Sequence, residues 1–422
     1  WRGHVTGAGT HTKKYWNDLQ TGKISRDDWI DLESRMTRSN GTCNTMGTAS
    51  TMTSIVDAMG LTRTGASSVP ATDSGHPRLA SWCGSRAVEM VWEDLKPSDI
   101  LTPASLRNGL ATYMALGGST NAAIHLAAMA RRAGLGLTLE DMDAAAREIP
   151  VLANLFPSGE YLMEDFYFAG GLPALLARLG DRIDRSATTI EGRTLGDAMA
   201  GAECYDDDVI RPMENPVIPL SAGRTLVLLR GNLAPDGAIM KTSAADAARL
   251  RHSGPALVFE DPGDMARRIN APDLDVTEDT VLVLRNSGPV GGPGMPEWGN
   301  LPIPTKLLKA GVTDMVRISD GRMSGAHYGT CILHVSPEAA VGGPLALLQT
   351  GDTVVLDAEA GRLDMDVPDA ELDRRRAAWQ RPASPYTRSF TALYQRHVSQ
   401  AHEGCDFDFL EGTDPVPEPP IY

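Results

Sequence analysis

Residues 280–297 read Thr280-Val281-Leu282-Val283-Leu284-Arg285-Asn286-Ser287-Gly288-Pro289-Val290-Gly291-Gly292-Pro293-Gly294-Met295-Pro296-Glu297. Four consecutive apolar residues, with turn formers after them, describe a strand buried on both faces. The strand opens into a Gly/Pro loop that ends on a carboxylate. Such a loop lets backbone come close to a ligand. Comparable apolar runs recur at 225–229, 256–259, 315–318 and 331–335, with a pair near 353–356 and 362–367. Upstream the period changes. Apolar residues at helical spacing predict helices over 27–36, 48–59, 120–134, 139–147, 163–168 and 172–179. The character shifts at Tyr205-Asp206-Asp207-Asp208. Three segments follow: a largely helical domain over 1–205, a strand-rich domain over 206–385 and a C-terminal segment over 386–422. A further helix is expected over 369–380. Residues 402–422 carry six acidic residues, four prolines and no Lys or Arg, and read as a surface tail.

The chain has 422 residues, 39 Lys and Arg against 54 Asp and Glu, and a net charge of −15. That balance excludes non-specific nucleic-acid or anionic-membrane binding, which needs a basic surface. It leaves anionic small substrates open. Hydrophobic residues are 42% and charged residues 22%, as in a folded globular protein. No apolar stretch reaches the roughly 18 residues of a membrane helix. The first residues are no signal peptide. The five cysteines, 43, 83, 204, 331 and 405, are odd in number and widely spaced. They fit a reducing, cytoplasmic compartment, with free thiols or a metal ligand rather than a disulfide framework.

Three further segments carry candidate chemistry. Cys43 lies in a glycine-flanked loop, Gly41-Thr42-Cys43-Asn44-Thr45-Met46-Gly47, just before a helix. The helix dipole there favours thiolate, which binds metal or attacks carbon. A buried thiol in a tight turn is the equally weighted alternative. Glu297 is a candidate hard-cation ligand of the kind Mg²⁺ uses, or a solvated turn residue. In Ile318-Ser319-Asp320-Gly321-Arg322-Met323-Ser324-Gly325-Ala326-His327, Ser324 is a candidate nucleophile or base if something lowers its pKa. His327 reads as a hydrogen-bonding loop residue. Gly117-Gly118-Ser119-Thr120-Asn121 precedes a helix and suits either an anion or close packing through glycine. Cys83, Cys204, Cys331 and Cys405 read as structural thiols.

Taken together, six segments resemble the dihydroxy-acid and sugar-acid dehydratase family, which includes phosphogluconate dehydratase. They are residues 41–52 (GTCNTMGTASTM), 117–126 (GGSTNAAIHL), 230–236 (RGNLAPD), 286–297 (NSGPVGGPGMPE), 319–325 (SDGRMSG) and 335–344 (VSPEAAVGGP). They stand in family order across nearly the whole chain. The form CNTMGTAST is closer to the sugar-acid branch, such as arabinonate or xylonate dehydratases.

The resemblance implies an α/β fold: a truncated N-terminal α/β domain, then a β-barrel-like, swivelling β/β/α domain, with the active site between them. It implies loss of water from a 2,3-dihydroxy acid to give a 2-keto-3-deoxy acid. It also implies an iron–sulfur cluster, 2Fe-2S rather than 4Fe-4S, a Mg²⁺ ion, and a homodimer or homotetramer. Cys43 matches the last of three cluster cysteines, Glu297 a Mg²⁺ ligand, and Ser324 the serine that takes the C2 proton.

The sequence departs from the family in two places. The other two cluster cysteines and further Mg²⁺ ligands, which the family carries upstream of the Cys43 motif, are absent. The chain alone is therefore expected not to hold an intact cluster. Ala326 also replaces a Thr found in some sugar-acid members, which bears on substrate choice. The alternatives are the dihydroxy-acid dehydratase of branched-chain amino-acid synthesis and a non-catalytic sugar-acid-binding paralogue.

Overall fold

In the computed structural model, which describes residues 1–37, 39–410 and 420, the run Val281–Leu284 is a strand between two apolar cores. Val281 and Val283 join Ile318, Ile332, Val354 and Leu363, while Leu282 and Leu284 join Phe259, Met315 and Ile303. That double burial is why the run is apolar at every position.

The strand belongs to an eight-stranded sheet. In chain order these are β1 (Val227–Leu229), β2 (Gly237–Met240), β3 (Arg251–Phe259), β4 (Val281–Leu284), β5 (Arg317–Ser319), β6 (Cys331–Ser336), β7 (Thr353–Asp357) and β8 (Arg362–Asp366). Their spatial order is β1-β2-β6-β5-β4-β3-β7-β8. β3 to β6 are mutually parallel, and the remaining pairs are antiparallel. The two edges nearly meet. Arg230 N–H donates to the Gly361 carbonyl at 2.9 Å, and Leu363 N–H donates to the Arg230 carbonyl at 2.9 Å. The sheet is thus an almost closed barrel filled by one face of every strand. Helices Pro262–Arg268 and Thr305–Lys309 cover the outside of β3 to β5. β7 and β8 lack such cover, and their residues alternate between buried and solvent-facing.

The N-terminal half is helical. Its core gathers Ile55, Met59, Tyr113, Met114, Leu126, Met142 and Leu175. Leu226, Leu228 and Ile239, on the outer side of the barrel wall, join the same core. The halves therefore share a packed seam. Buried polar ties lock it: Thr225 Oγ1 donates to the Met114 carbonyl at 2.6 Å, and Lys241 Nζ to the Gly117 carbonyl at 2.6 Å. Burial pushes the Lys241 ammonium down to about 7.

The expected helices and strands are present within a few residues of their predicted ends. Ala8–Gln20, Gly75–Glu93 and Pro103–Ala115 are helices not anticipated, and β2 is an additional strand. The C-terminal tail needs correction over 402–410. His402 Nδ1 meets Ser336 Oγ at 2.7 Å, Arg132 pairs with Asp406, and Gly404 lies so close to Ala128 that a Cβ would come within 2.5 Å of its nitrogen. This part docks on helix Asn121–Arg132. Residues 411–419, 421 and 422 lie outside the described residues. No helix among the described residues is long and apolar enough to cross a membrane.

Candidate active site

The loops that leave the C-terminal ends of adjacent parallel strands are where ligand sites assemble in such sheets. Here the loops after β4, β5 and β6 carry the segments at 286–297, 319–325 and 335–344. Two buried carboxylates tie them together. Asp320, after β5, accepts from the N–H groups of Ser287 at 2.9 Å, Asn286 at 3.1 Å and Ala339 at 2.9 Å. Glu338, after β6, accepts from Val290 N–H at 2.9 Å, Gly291 N–H at 2.9 Å and Gln400 Nε2 at 2.9 Å. Neither acid has a cationic hydrogen-bond partner among the described residues. Burial pushes both above the usual carboxylate range, and Glu338's charge helps bring Asp320 up to about 7. A loop dense in Gly and Pro has many backbone N–H groups and few side chains to satisfy them. The two acids supply the acceptors.

The loop after β5 crosses to the helical half. Gly325 lies against Ser119 and the start of helix Thr48–Ala58. A Cβ at position 325 would stand 2.4 Å from Ser119 Oγ and 2.8 Å from Thr48 N. Only glycine permits that approach. On the other side, Thr10 Oγ1 donates to the Ala326 carbonyl at 2.7 Å. Lys13 Nζ donates to Asn300 Oδ1 at 2.6 Å and to the Tyr328 carbonyl at 3.1 Å.

Asn121, fully buried at the start of helix Asn121–Arg132, joins the pieces. Its Nδ2 lies 2.9 Å from Thr48 Oγ1, 3.1 Å from Glu297 Oε1 and 2.9 Å from the Met323 carbonyl. Thr48 Oγ1 also meets Ser119 Oγ at 2.9 Å. One amide thus contacts the helix after the Cys43 loop, the carboxylate that ends the 286–297 loop and the residue before Ser324. The Gly117–Gly118 turn serves close packing. A Cβ on Gly118 would meet the Tyr113 ring at 2.6 Å, and Tyr113 Oη donates to the Ser119 carbonyl at 2.8 Å.

The structure brings Glu297 and the Ser324 loop together on Asn121. Ser324 is half-buried, and its Oγ has no hydrogen-bond partner among the described residues. Glu297 is exposed apart from its Asn121 contact. Cys43 is half-buried, with Sγ 3.1 Å from Thr45 Oγ1, in the loop that runs into helix Thr48–Ala58. His327 has Nδ1 2.8 Å from Asn300 Nδ2. Burial and the nearby Lys13 and Arg317 charges push it down to about 4. It hydrogen-bonds within its loop, as expected. Sequence reasoning missed Asn121, Asp320 and Glu338 as organisers. All three lie inside the quoted motifs, and the available signal was a polar residue wedged among glycines.

The N-terminal domain of the dihydroxy-acid/6-phosphogluconate dehydratases matches residues 3–198, and their C-terminal domain matches residues 208–405. The chain belongs to the dihydroxy-acid/6-phosphogluconate dehydratase family. It is an enzyme of the hydro-lyase class. It is 62% identical over 422 residues to 6-deoxy-6-sulfo-D-gluconate dehydratase of Pseudomonas putida, covering all of this chain and 73% of that protein. It is 47% identical over 413 residues to L-arabinonate dehydratase of Rhizobium leguminosarum bv. trifolii, covering 97% of this chain and 71% of that protein. It is 41% identical over 372 residues to dihydroxy-acid dehydratase of Ignicoccus hospitalis, covering 87% of this chain and 66% of that protein.

Dependence on an iron–sulfur cluster and Mg²⁺ is general in the family. In the dehydratase described here, no three of its His, Cys, Asp and Glu side chains come together as a metal site among the described residues. Cys43 offers one sulfur ligand and Glu297 one carboxyl group. Alone they do not form a complete ligand set for a cluster or for Mg²⁺.

Proposed function

We propose that the dehydratase removes water from a 2,3-dihydroxy sugar acid, a pentonate or hexonate, to give a 2-keto-3-deoxy acid. The observation that carries this reading is the meeting of Glu297, the Ser324 loop and the helix after Cys43 on the single amide of Asn121. The sugar acids in the names of the P. putida and R. leguminosarum relatives support the substrate class.

Ser324 Oγ takes the proton from C2. The C2–H electron pair becomes the C2–C3 double bond, and the C3–O bond breaks with its pair on oxygen. That hydroxide leaves as water with a proton equivalent to the one Ser324 Oγ took, which returns the serine to its starting alkoxide. The enol left between C2 and C3 tautomerises to the ketone. Two features support Ser324 in this role. Its hydroxyl is not engaged by another side chain among the described residues, and its neighbour Gly325 rests on the N-terminus of helix Thr48–Ala58. The positive end of that helix dipole favours negative charge on nearby oxygen.

Cys43 is assigned as a cluster ligand, 2Fe-2S rather than 4Fe-4S, and Glu297 as a Mg²⁺ ligand. A half-buried thiol and a carboxylate open on one side support these assignments. Five free cysteines support a reducing, cytoplasmic setting. Homodimer or homotetramer formation is supported by helix Gly75–Glu93, which leaves Val88, Val91 and Trp92 exposed, Trp92 to 84%. The test is turnover of pentonates, hexonates and 2,3-dihydroxyisovalerate by the holoenzyme, with its iron–sulfur cluster and Mg²⁺ verified by metal analysis. Keto-acid formation from sugar acids is expected. Activity confined to the branched-chain acid would overturn the substrate assignment.

A further inference from the structure

Beside the proposed reaction centre stand three basic side chains that the scheme above does not use. His125 lies one turn beyond Asn121 on the same helix, hence on the same face and about 6 Å along its axis. Its neighbour Ile124 packs on Met295. The Met295 carbonyl accepts from Arg322 Nε at 2.5 Å, and the Gly294 carbonyl accepts from Arg322 Nη2 at 3.4 Å. His334, on β6, donates its N–H to the Gly321 carbonyl at 3.0 Å, next to Arg322. It is buried, its φ is +59°, and neither ring nitrogen has a hydrogen-bond partner among the described residues.

The backbone places the three close together: His334 N–H donates to the residue before Arg322, and Arg322 donates to the Met295 on which the neighbour of His125 packs. Arg322's charge bears on both imidazoles, and His125 bears on His334. Among the described residues no carboxylate bears on either ring. His125's ring and Arg322 Nη1 also have no hydrogen-bond partner among the described residues. A buried polar ring with both nitrogens unpaired is costly and calls for an explanation.

We propose that Arg322, His125 and His334 form a subsite for an oxyanion of the substrate. Arg322 supplies the positive charge. The imidazoles, which burial and Arg322 hold below the usual histidine range, supply neutral N–H donors. A protein of net charge −15 that binds an anionic sugar acid needs such a local reversal of sign. The oxyanion is either the C1 carboxylate common to all sugar acids or a terminal sulfonate, as in the name of the P. putida relative. This inference rests on the sugar-acid reading.

The test compares wild type, Arg322→Gln and His125→Leu on D-gluconate and on 6-deoxy-6-sulfo-D-gluconate, with melting temperatures as the control for folding. Arg322 also ties down the 294–295 backbone, so His125→Leu keeps the question answerable if Arg322→Gln disturbs the loop. The expected result is a KM raised on the order of tenfold by loss of Arg322 and severalfold by loss of His125, with kcat less affected. A rise on both substrates assigns the carboxylate. A rise on the sulfonate alone assigns the terminal group. KM within twofold of wild type on both substrates in folded variants overturns the subsite. Should wild type turn over neither acid, the functional reading fails separately. Calorimetric binding of 6-deoxy-6-sulfo-D-gluconate then decides the subsite: weaker binding in the variants supports it, and unchanged or absent binding throughout overturns it.

Discussion

Replacing Asp320 by Asn changes almost nothing in shape and tests what holds the 286–297 loop. One carboxylate oxygen accepts from Ser287 N–H, and the other accepts from Asn286 and Ala339 N–H. An amide has one oxygen. In its better orientation that oxygen keeps the Asn286 and Ala339 bonds, and the new NH₂ faces Ser287 N–H, donor against donor. The opposite orientation orphans two donors. One unsatisfied buried donor costs about 1–3 kcal/mol. At about 2–4 °C per kcal/mol for a unit of roughly 200 residues, the melting temperature should fall by about 2–12 °C. Because the same loop delivers Glu297, kcat should fall as well, at temperatures where the variant is still folded. Differential scanning calorimetry and a keto-acid assay on one preparation read both effects. A variant that melts within 1 °C of wild type at full activity would refute the role given to this carboxylate.

Other expectations follow from the same geometry. Gly325→Ala must push a methyl into Ser119 and Thr48 N, so it should displace the Ser324 loop, cost about 1–3 kcal/mol and remove most activity; wild-type turnover would contradict that packing. His327 and His334 are held down to about 4 and about 3. Between those values and the unfolded histidine value near 6.5, the unfolded chain binds protons that the folded chain does not. Stability should therefore be retained above about pH 6.5 and lost as pH falls towards 4, by at most about 1.4 kcal/mol per pH unit for each ring. Denaturant midpoints across pH 4–7 check this, and His327→Asn should flatten the slope. Trp92→Glu places a charge on the exposed face of helix Gly75–Glu93 and should shift the mass measured by light scattering towards the monomer; an unchanged mass would exclude that face as the contact between copies.

The barrel was legible because its strands declare themselves. Val281–Leu284 is apolar throughout because two cores flank it, while β7 and β8 alternate because only one does. The unanticipated helix Gly75–Glu93 has a physical reason. Arg86 is its only buried residue, so no apolar stripe marks a period. β2 begins on Gly237 in left-handed backbone and runs four residues, too short to separate from the preceding turn.

The Cys43, Glu297 and Ser324 loops were visible as glycine-rich punctuation after strands and before a helix. Their organisers were not. Asp320 acts on residues 33 and 34 positions away and Glu338 on residues 47 and 48 positions away. Asn121 reaches partners as far as 202 positions along the chain. Such pairings follow from the parallel order of β4, β5 and β6, which local pattern does not encode. The acidic composition of residues 402–410 suggested solvent, yet Arg132 and the bare backbone at Gly404 dock them on a helix.

The most direct test of the account is Ser324→Ala assayed beside wild type for conversion of a sugar acid to its 2-keto-3-deoxy product, with iron content and melting temperature matched. Loss of the base predicts a fall in kcat of about 100-fold or more, since a positioned general base contributes about 10²–10⁴. A folded Ser324→Ala enzyme with turnover near wild type would contradict the assignment of proton removal to Ser324.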